Sequence, residues 1–241
     1  MSVRILDAGD AALTIEFGSV IDPALLAAVN ALDAAILRLQ SAGDLPGVIE
    51  TMPATHRYPV LGALLPLISA ALHGTPVDGR HWRLPVCYEG EAAPDLAEVA
   101  ATIGIGPDEV IALHSGTEYL VYMLGFLPGF PFMGDLPERL RLPRRTQPRV
   151  RVPAGSVAIA TGLTAIYPWE SPGGWHLLGR CPVPLFDARR AAPSLLAAGD
   201  RVRFVPVSTA ECRAIEAAAR SADFDPMQWL DSAPTSAENA A

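Results

Sequence analysis

The 241-residue chain contains no lysine, and all 18 of its basic residues are arginine. Without lysine there is no Walker A loop, no Schiff-base or nucleophilic lysine, and no residue on which biotin could be carried. A reaction that uses ATP or biotin must therefore take its lysine chemistry from another chain. The formal net charge of −8 makes nucleic acid and anionic membrane surfaces poor partners.

Cysteine pairs, metal-ligand spacings and long apolar runs are also absent. Cys87, Cys181 and Cys212 form no CxxC motif, which disfavours zinc and redox sites and favours free thiols in a reducing cytosol. The histidines show no metal-ligand spacing, so we expect no metal. The longest apolar stretch, residues 59–72, is too short to span a bilayer, and the N-terminus does not resemble a signal peptide. We therefore expect a cytoplasmic protein without membrane association.

The first 80 residues are patterned as a small α/β domain, because strand-like and helix-like segments alternate along them. A polar, glycine- and proline-bearing segment at residues 73–80 is the predicted boundary. The predicted elements are a half-buried strand over residues 11–17, a helix from Asp22-Pro23 to Gly43, a strand near 48–52 and an apolar helix over 60–72.

From residue 81 onward, short strands are separated by loops rich in glycine and proline, which favours a closed or nearly closed β-barrel. Two helices are predicted over residues 94–102 and 107–114, and a capping box at Ser208–Glu211 opens a last helix. Residues 232–241 are small and polar and are expected to form a flexible tail. The predicted strands are 82–88, 118–124, 157–161, 175–181, 185–187 and 201–207.

Three segments between residues 125 and 175 have the composition of a binding site. Residues 125–134 combine glycines, prolines and phenylalanines, which suits either a pocket wall or an aromatic plug in the barrel. Residues 143–153 hold four arginines, which suit a carboxylate or phosphate ligand but equally a partner subunit. Residues 171–175 are predicted either to hold an oxyanion with backbone N–H groups or to form a tight hairpin turn. We expect a positive φ at Gly173 in that turn.

The candidate catalytic residues are His114, Arg149 and Ser156, each with a plainer alternative. His114 lies near a helix C-terminus and is also interpreted as a structural histidine. Ser156 is not in a G-x-S-x-G elbow, so its hydroxyl is more easily interpreted as a hydrogen-bonding group than as a nucleophile. The candidate substrate-binding residues are Phe126, Pro128, Gly129, Phe130, Arg144, Arg149, Gly155, Ser156, Tyr167, Ser171, Gly173, Gly174 and Trp175.

Several of these segments resemble, in order, the motifs of one family. Residues 121–132 (VYMLGFLPGFPF), 152–159 (VPAGSVAI), 171–175 (SPGGW) and 199–206 (GDRVRFVP) are similar to KipI-like proteins, a family also known as the 5-oxoprolinase B subunit or allophanate hydrolase subunit 1. The resemblance covers about residues 82–207, and the N-terminal third fits more loosely. It implies an α+β fold, with a small ferredoxin-like α/β domain at 1–80 and a cyclophilin-like β-barrel with a C-terminal helix at 81–231.

The resemblance implies a subunit of a hetero-oligomeric, ATP-dependent amidohydrolase that opens 5-oxoproline to glutamate and is inactive alone. Its expected partners are a KipA-like (allophanate hydrolase subunit 2-like) subunit, a LamB/YcsF-like subunit and a small amide substrate. ATP would be bound in the complex or by a partner subunit, with no cofactor intrinsic to this chain. Two alternatives remain at this point, namely a KipI-like inhibitor of a sensor histidine kinase and a carboxyltransferase component of urea or allophanate metabolism.

Overall fold

The computed structural model describes residues 3–7, 13–17, 23–44, 79–221 and 223–231. The chain divides into two compact units, residues 1–78 and 79–241. The predicted strand near 48–52, the predicted helix over 60–72 and the tail after residue 231 lie outside the described residues. The ferredoxin-like arrangement of the first unit therefore stays a prediction.

In the first unit, strand β1 (Arg4–Asp7) pairs antiparallel with β2 (Leu13–Glu16), and helix α1 runs over Pro23–Ala42. A stripe of Ala28, Leu32 and Ile36 on α1 is buried in one cluster with Phe17. Gly43 follows the helix with a φ of 79°, as the sequence predicts for its C-terminal cap.

By length and composition alone, α1 is apolar enough to cross a membrane over Ala24–Ala42, and it is the one such helix in the described ranges. This is weak evidence for a span, because the core helix of a soluble protein passes the same test. The buried residues of α1 lie on one stripe, which packs against Phe17.

The second unit is built on a closed barrel of seven strands, in the order β10-β3-β11-β4-β5-β8-β7. β3 and β11 are parallel and the other neighbours are antiparallel, so the α+β class and the closed barrel predicted from the sequence are confirmed. The strands are β3 (His81–Cys87), β4 (Glu118–Leu124), β5 (Pro131–Gly134), β6 (Arg149–Val152), β7 (Ser156–Ala160), β8 (Leu163–Ile166), β9 (Ser171–Gly173), β10 (His176–Arg180) and β11 (Arg201–Val207).

In the described part of the second unit, three α-helices accompany the barrel, namely α2 (Leu96–Ile103), α3 (Pro107–Ser115) and α4 (Thr209–Ala218). The predicted capping box is present at the start of α4, where Ser208 and Glu211 exchange hydrogen bonds between side chain and backbone. The strand predicted at residues 185–187 is wrong, since only Phe186 forms an isolated bridge, with Ser194. The chain turns directly after these residues, at Ala188 and Arg189.

Alternate residues of β7 face opposite sides of the barrel wall, as the period of a strand requires. Val157 and Ile159 belong to the main core inside the barrel. Ala158 and Ala160 belong to a second cluster, which therefore lies on the outside of the wall and is called the outer cluster below. The outer cluster consists of Phe130, Val152, Ala158, Ala160, Ala165, Tyr167, Trp175 and Leu177.

Strands β6 and β9 form a separate two-stranded antiparallel ribbon. Val152 of β6 is fully buried in the outer cluster, so the ribbon packs on the outside of the barrel. The small alanine side chains on the outer faces of β7 and β8 leave room for this layer. The candidate site lies in this layer.

Candidate functional site

The three segments singled out in the sequence meet on the outside of the barrel. Arg149 of the second segment lies opposite Gly173 of the third in the ribbon. The Phe130 ring of the first segment packs edge-to-face against Tyr167, with ring centroids 5.0 Å apart, and Trp175 lies in the same cluster. Segments that are far apart in sequence therefore form one site.

The arginines of the second segment are held by a buried carboxylate. Asp95 precedes α2 and is 3% exposed, and its side chain does not cap that helix. Its Oδ1 accepts hydrogen bonds from Arg149 Nη2 at 2.5 Å and Arg145 Nη1 at 3.3 Å, and its Oδ2 accepts from the Leu177 backbone N–H at 2.7 Å. Asp95 thus fixes two guanidinium groups against β10.

Polar atoms without partners are concentrated on and beside the ribbon. Buried polar groups in folded proteins are nearly always hydrogen-bonded, so an unpaired one indicates a missing water or ligand. Three of these atoms are N–H or O–H donors, which an anionic group would satisfy. Within the described part of the chain, the unpaired buried side-chain atoms of this region are Arg145 Nε, Arg149 Nη1, Ser171 Oγ and His176 Nδ1.

Tyr167 and Arg144 extend this positive region toward solvent. Burial raises the pKa of Tyr167, and the positive charges of Arg144 and Arg149 oppose that rise. Arg144 is exposed and, among the described residues, has no hydrogen-bond or ion-pair partner. The site therefore contains Arg144, which has no partner among the described residues, and Arg149, whose hydrogen-bonding groups are only partly used.

The Ser-Pro-Gly-Gly segment forms strand β9 and not a tight turn. Gly173 does not have a positive φ, so the expectation of a left-handed glycine there is wrong. The requirement is steric: a Cβ on Gly173 would overlap the Tyr167 hydroxyl and lie 3.0 Å from its Cζ. Glycine at this position lets the ribbon close over Tyr167. Gly174 accepts a hydrogen bond from the Arg145 backbone N–H at 2.7 Å, which joins the ribbon to the arginine segment.

Replacing Gly173 with alanine is expected to lower the free energy of unfolding by about 1–3 kcal/mol, because the buried Tyr167 ring must move. Tyr167→Phe in the same chain should recover part of this loss, since it removes the overlapping oxygen. Urea unfolding of both single variants and the double variant measures the coupling. Strictly additive losses would contradict the proposed contact.

Gly155 does occupy the left-handed region, with a φ of 80°, and a Cβ there would lie 2.5 Å from the Cys181 carbonyl oxygen. Its backbone N–H donates to the Tyr167 carbonyl, which links the loop before β7 to the end of β8. Gly155 and Tyr167 also line a pocket of about 280 Å³ with Arg180 and Cys181.

Ser156 lies next to that pocket at the start of β7 and is buried. Among the described residues, no histidine or carboxylate hydrogen-bonds to its hydroxyl. An unactivated serine is a weak nucleophile. The geometry therefore favours the interpretation of Ser156 as a polar residue in the wall.

The first segment exposes an aromatic ring on a strained backbone. Phe126 has a φ of 68° and is 65% exposed, and its ring packs edge-to-face on the buried Phe130, 5.5 Å away. The carbonyl of Pro128 accepts a hydrogen bond from Trp169 Nε1 at 3.2 Å. Gly129 also has a positive φ, of 77°, and packs against Phe186. The loop is thus fixed by its contacts with Trp169 and Phe186, while Phe126 faces solvent.

His114 is not part of this site, because it lies completely buried inside the barrel. Its ring stacks on Phe204 with centroids 4.8 Å apart. The Thr164 hydroxyl donates its proton to the Ala158 carbonyl, so it must accept a hydrogen bond from His114 Nε2 at 3.0 Å. In a neutral imidazole Nδ1 is then the acceptor, and it accepts from the Tyr88 hydroxyl at 2.8 Å. Both nitrogens of the neutral imidazole ring are therefore hydrogen-bonded inside the protein. This favours the structural interpretation of His114 over the catalytic one.

Burial lowers the pKa of His114 to about 3, and this predicts a measurable pH dependence of stability. The unfolded chain binds a proton here below a pH of about 6.5. The stabilisation is therefore complete above that pH and is lost as the pH falls toward 3, by about 1.4 kcal/mol per pH unit. Between those limits, the free energy of urea unfolding of His114→Gln should fall less steeply as the pH decreases. The difference in slope should correspond to the binding of about one proton. Parallel pH profiles would contradict the burial of a neutral histidine.

Asp95, His176 and Trp169 belong to the site but were not candidates from the sequence. His176 Nε2 donates to the Pro143 carbonyl at 2.9 Å, which joins β10 to the arginine segment. The only signals available were the position of Asp95 in the first turn of the helix predicted over 94–102 and the closeness of the other two to residues 171–175.

In the described ranges, no group of three or more histidine, cysteine, aspartate or glutamate side chains is placed to hold a metal ion.

The fold is that of a carboxyltransferase domain. The crystal structure of the urea amidolyase of Kluyveromyces lactis matches 95% of this chain and 16% of that chain with a TM-score of 0.70, at 21% identity, which shows the fold alone. The family model described as carboxyltransferase domain, subdomain C and D, matches residues 3–196, and the chain belongs to this family.

Closer relatives narrow the comparison. The B subunit of 5-oxoprolinase from Bacillus subtilis (strain 168) is 40% identical over 232 residues, which cover 86% of this chain and 95% of that protein. The crystal structure of TTHA0988 is 39% identical, with a TM-score of 0.70 over 86% of this chain. This chain spans only 40% of the TTHA0988 chain. The resemblance to the 5-oxoprolinase B subunit inferred from the sequence motifs is confirmed.

Proposed function

We propose that this chain is the B subunit of an ATP-dependent 5-oxoprolinase complex, which opens the lactam ring of 5-oxoproline to give glutamate. The observation that carries the proposal is the 40% identity to the B. subtilis 5-oxoprolinase B subunit over 95% of that protein. Because this chain has no lysine, ATP is bound in the complex or by a partner subunit. The chain works in the cytoplasm and is inactive alone.

The arrangement of charges supports 5-oxoproline as the ligand. The substrate has one carboxylate, and the site offers the unpaired Arg144 and the free Nη1 of Arg149. Arginine and carboxylate form strong, directional hydrogen bonds, which would fix the orientation of the ring. This chain's contribution is therefore to hold the acid in place.

The remaining chemistry is divided between subunits in this proposal. A lactam carbonyl is a poor electrophile, so ATP first phosphorylates the amide oxygen, and water then opens the ring. Neither Ser156 nor His114 is arranged for acid–base catalysis of these steps. A KipA-like subunit and a LamB/YcsF-like subunit supply the missing groups.

Reconstitution tests the proposal. We would co-express this chain with the two sister subunits from its own operon and measure ATP-dependent release of glutamate from 5-oxoproline. The expected result is activity that disappears when this chain is omitted and returns when the purified chain is added. An assembled complex without this activity would overturn the choice of substrate, and failure to assemble would favour the kinase-inhibitor alternative.

A further inference from the structure

A pocket of about 450 Å³ lies behind the first segment of the candidate site, between the chain around residue 187 and the end of α4. Its volume is in the range of small-molecule sites. It adjoins the first segment, because Trp169 on its wall donates to the Pro128 carbonyl and Phe186 packs against Gly129. The wall residues that matter for the argument are Trp169, Phe186, Phe224, Asp187, Arg189 and Arg190.

The pocket wall has one more positive charge than negative charge, and Arg190 is the cation without an ion-pair partner among the described residues. Arg189 Nη2 pairs with Asp187 Oδ2 at 2.8 Å. Hydrogen bonds from the side chain and the backbone N–H of Arg189, with smaller contributions from the charges of Arg189 and Arg190, hold the pKa of Asp187 well below its usual range. Within the described residues, the Arg190 side chain makes one hydrogen bond, from Nη2 to the Pro184 carbonyl at 3.3 Å. Its Nη1 is buried and has no partner within the described ranges. An anion would complete the hydrogen bonding of this guanidinium.

The rest of the wall is aromatic. The Trp169 ring is 44% exposed, and it meets Phe186 at a centroid distance of 6.0 Å and an interplanar angle of 61°. Phe224 contributes a third ring to the same pocket. Such a corner offers both a face and an edge to a flat ligand ring. An exposed tryptophan ring also gives up water-contacting apolar surface when a ligand covers it.

We propose that this pocket binds a small anionic ligand with a flat ring, with the anion on Arg190 and the ring against Trp169, Phe186 and Phe224. A nucleoside monophosphate and an aromatic carboxylate share this chemistry. The site is separate from the arginines held by Asp95 and does not depend on the proposed 5-oxoprolinase activity. Its contacts with Pro128 and Gly129 would let ligand binding stiffen the loop that carries Phe126.

The test uses the purified full-length chain alone, with calorimetric titration of AMP and of benzoate as the two probes. We expect at least one of them to bind at or below millimolar concentration. Adenosine and inorganic phosphate should bind more weakly, because adenosine lacks the anionic group and phosphate lacks the flat ring. Tighter binding of AMP would identify a nucleotide as the source, and tighter binding of benzoate an aromatic acid. Absence of binding by both probes at millimolar concentration would overturn the proposal.

Two variants test the residues. Arg190→Gln should weaken binding of the better probe by about tenfold or more, because a hydrogen bond to a charged group is lost. Arg213→Gln removes the same charge from an exposed position on α4 and should have no effect. Ala188→Trp, at an exposed position on the pocket wall, should block binding by filling the pocket without changing its charge.

Unchanged affinity in Arg190→Gln would overturn the assigned role of the guanidinium. If that variant is found unfolded by circular dichroism, the Ala188→Trp result decides alone, and unchanged affinity there would place the ligand elsewhere. Because no sister subunit is present, failure of this experiment leaves the reconstitution result unaffected, and the two proposals can fail independently.

Discussion

Replacing Asp95 with alanine is expected to lower the free energy of unfolding by about 3–5 kcal/mol, the cost of removing one partner from a buried ion pair. Asp95 is 3% exposed and accepts hydrogen bonds from Arg145, Arg149 and the Leu177 backbone. Without it, Arg149 loses its counter-charge, Arg145 keeps only the exposed Glu98, and the buried backbone N–H of Leu177 is left unpaired. Urea unfolding followed by circular dichroism measures the loss.

Glu98→Ala is the matched control, because Glu98 also pairs with Arg145, at 3.1 Å, but its side chain is exposed to solvent. Exposed ion pairs contribute at most about 1 kcal/mol. Equal losses for the Asp95 and Glu98 variants would show that the buried carboxylate does not organise the arginines. Adding Arg149→Met to Asp95→Ala should recover stability, since an unpaired cation is removed and an apolar chain takes its place.

Much of the barrel could be predicted because long strands and capped helices leave strong local patterns. The strands at 118–124 and 201–207 were predicted with the bounds that the structure shows, and the capping box of α4 was found from its spacing. The strands β5 and β8 were missed, because each has only four residues and both its faces are largely buried, which removes the alternation. Short apolar runs cannot be assigned by period alone, which also explains the false strand at 185–187.

The candidate site was predicted in composition but not in geometry. Glycine, proline and arginine marked the three segments, because these residues are clustered there. Asp95 could not be found, since the arginines that it binds are 50 and 54 positions away and an aspartate before a helix is the ordinary sign of a cap. The burial of His114 could not be predicted for the same reason: its position near the end of a helix was visible in the sequence, but its hydrogen-bond partners Tyr88 and Thr164 are 26 and 50 positions away.

The site is best probed at Arg144, because removing Arg149 would also disturb the buried Asp95. In the reconstituted complex, Arg144→Ala is expected to raise the KM for 5-oxoproline by about ten- to a hundredfold, the equivalent of one charged hydrogen bond to the substrate. The thermal unfolding midpoint should not change, since Arg144 is exposed and has no partner within the described residues. Steady-state kinetics and calorimetry on the same preparation measure both quantities.

Arg151→Ala provides the matched control from the same segment. Arg151 is 76% exposed, and it pairs with Glu170 and not with Asp95. Removing it changes the net charge by the same amount, so an effect of overall charge on substrate capture would appear equally in both variants. Equal kinetics for the two variants would remove Arg144 from the site. A rise in KM for Arg144→Ala alone, without a loss of stability, would place the substrate carboxylate at Arg144.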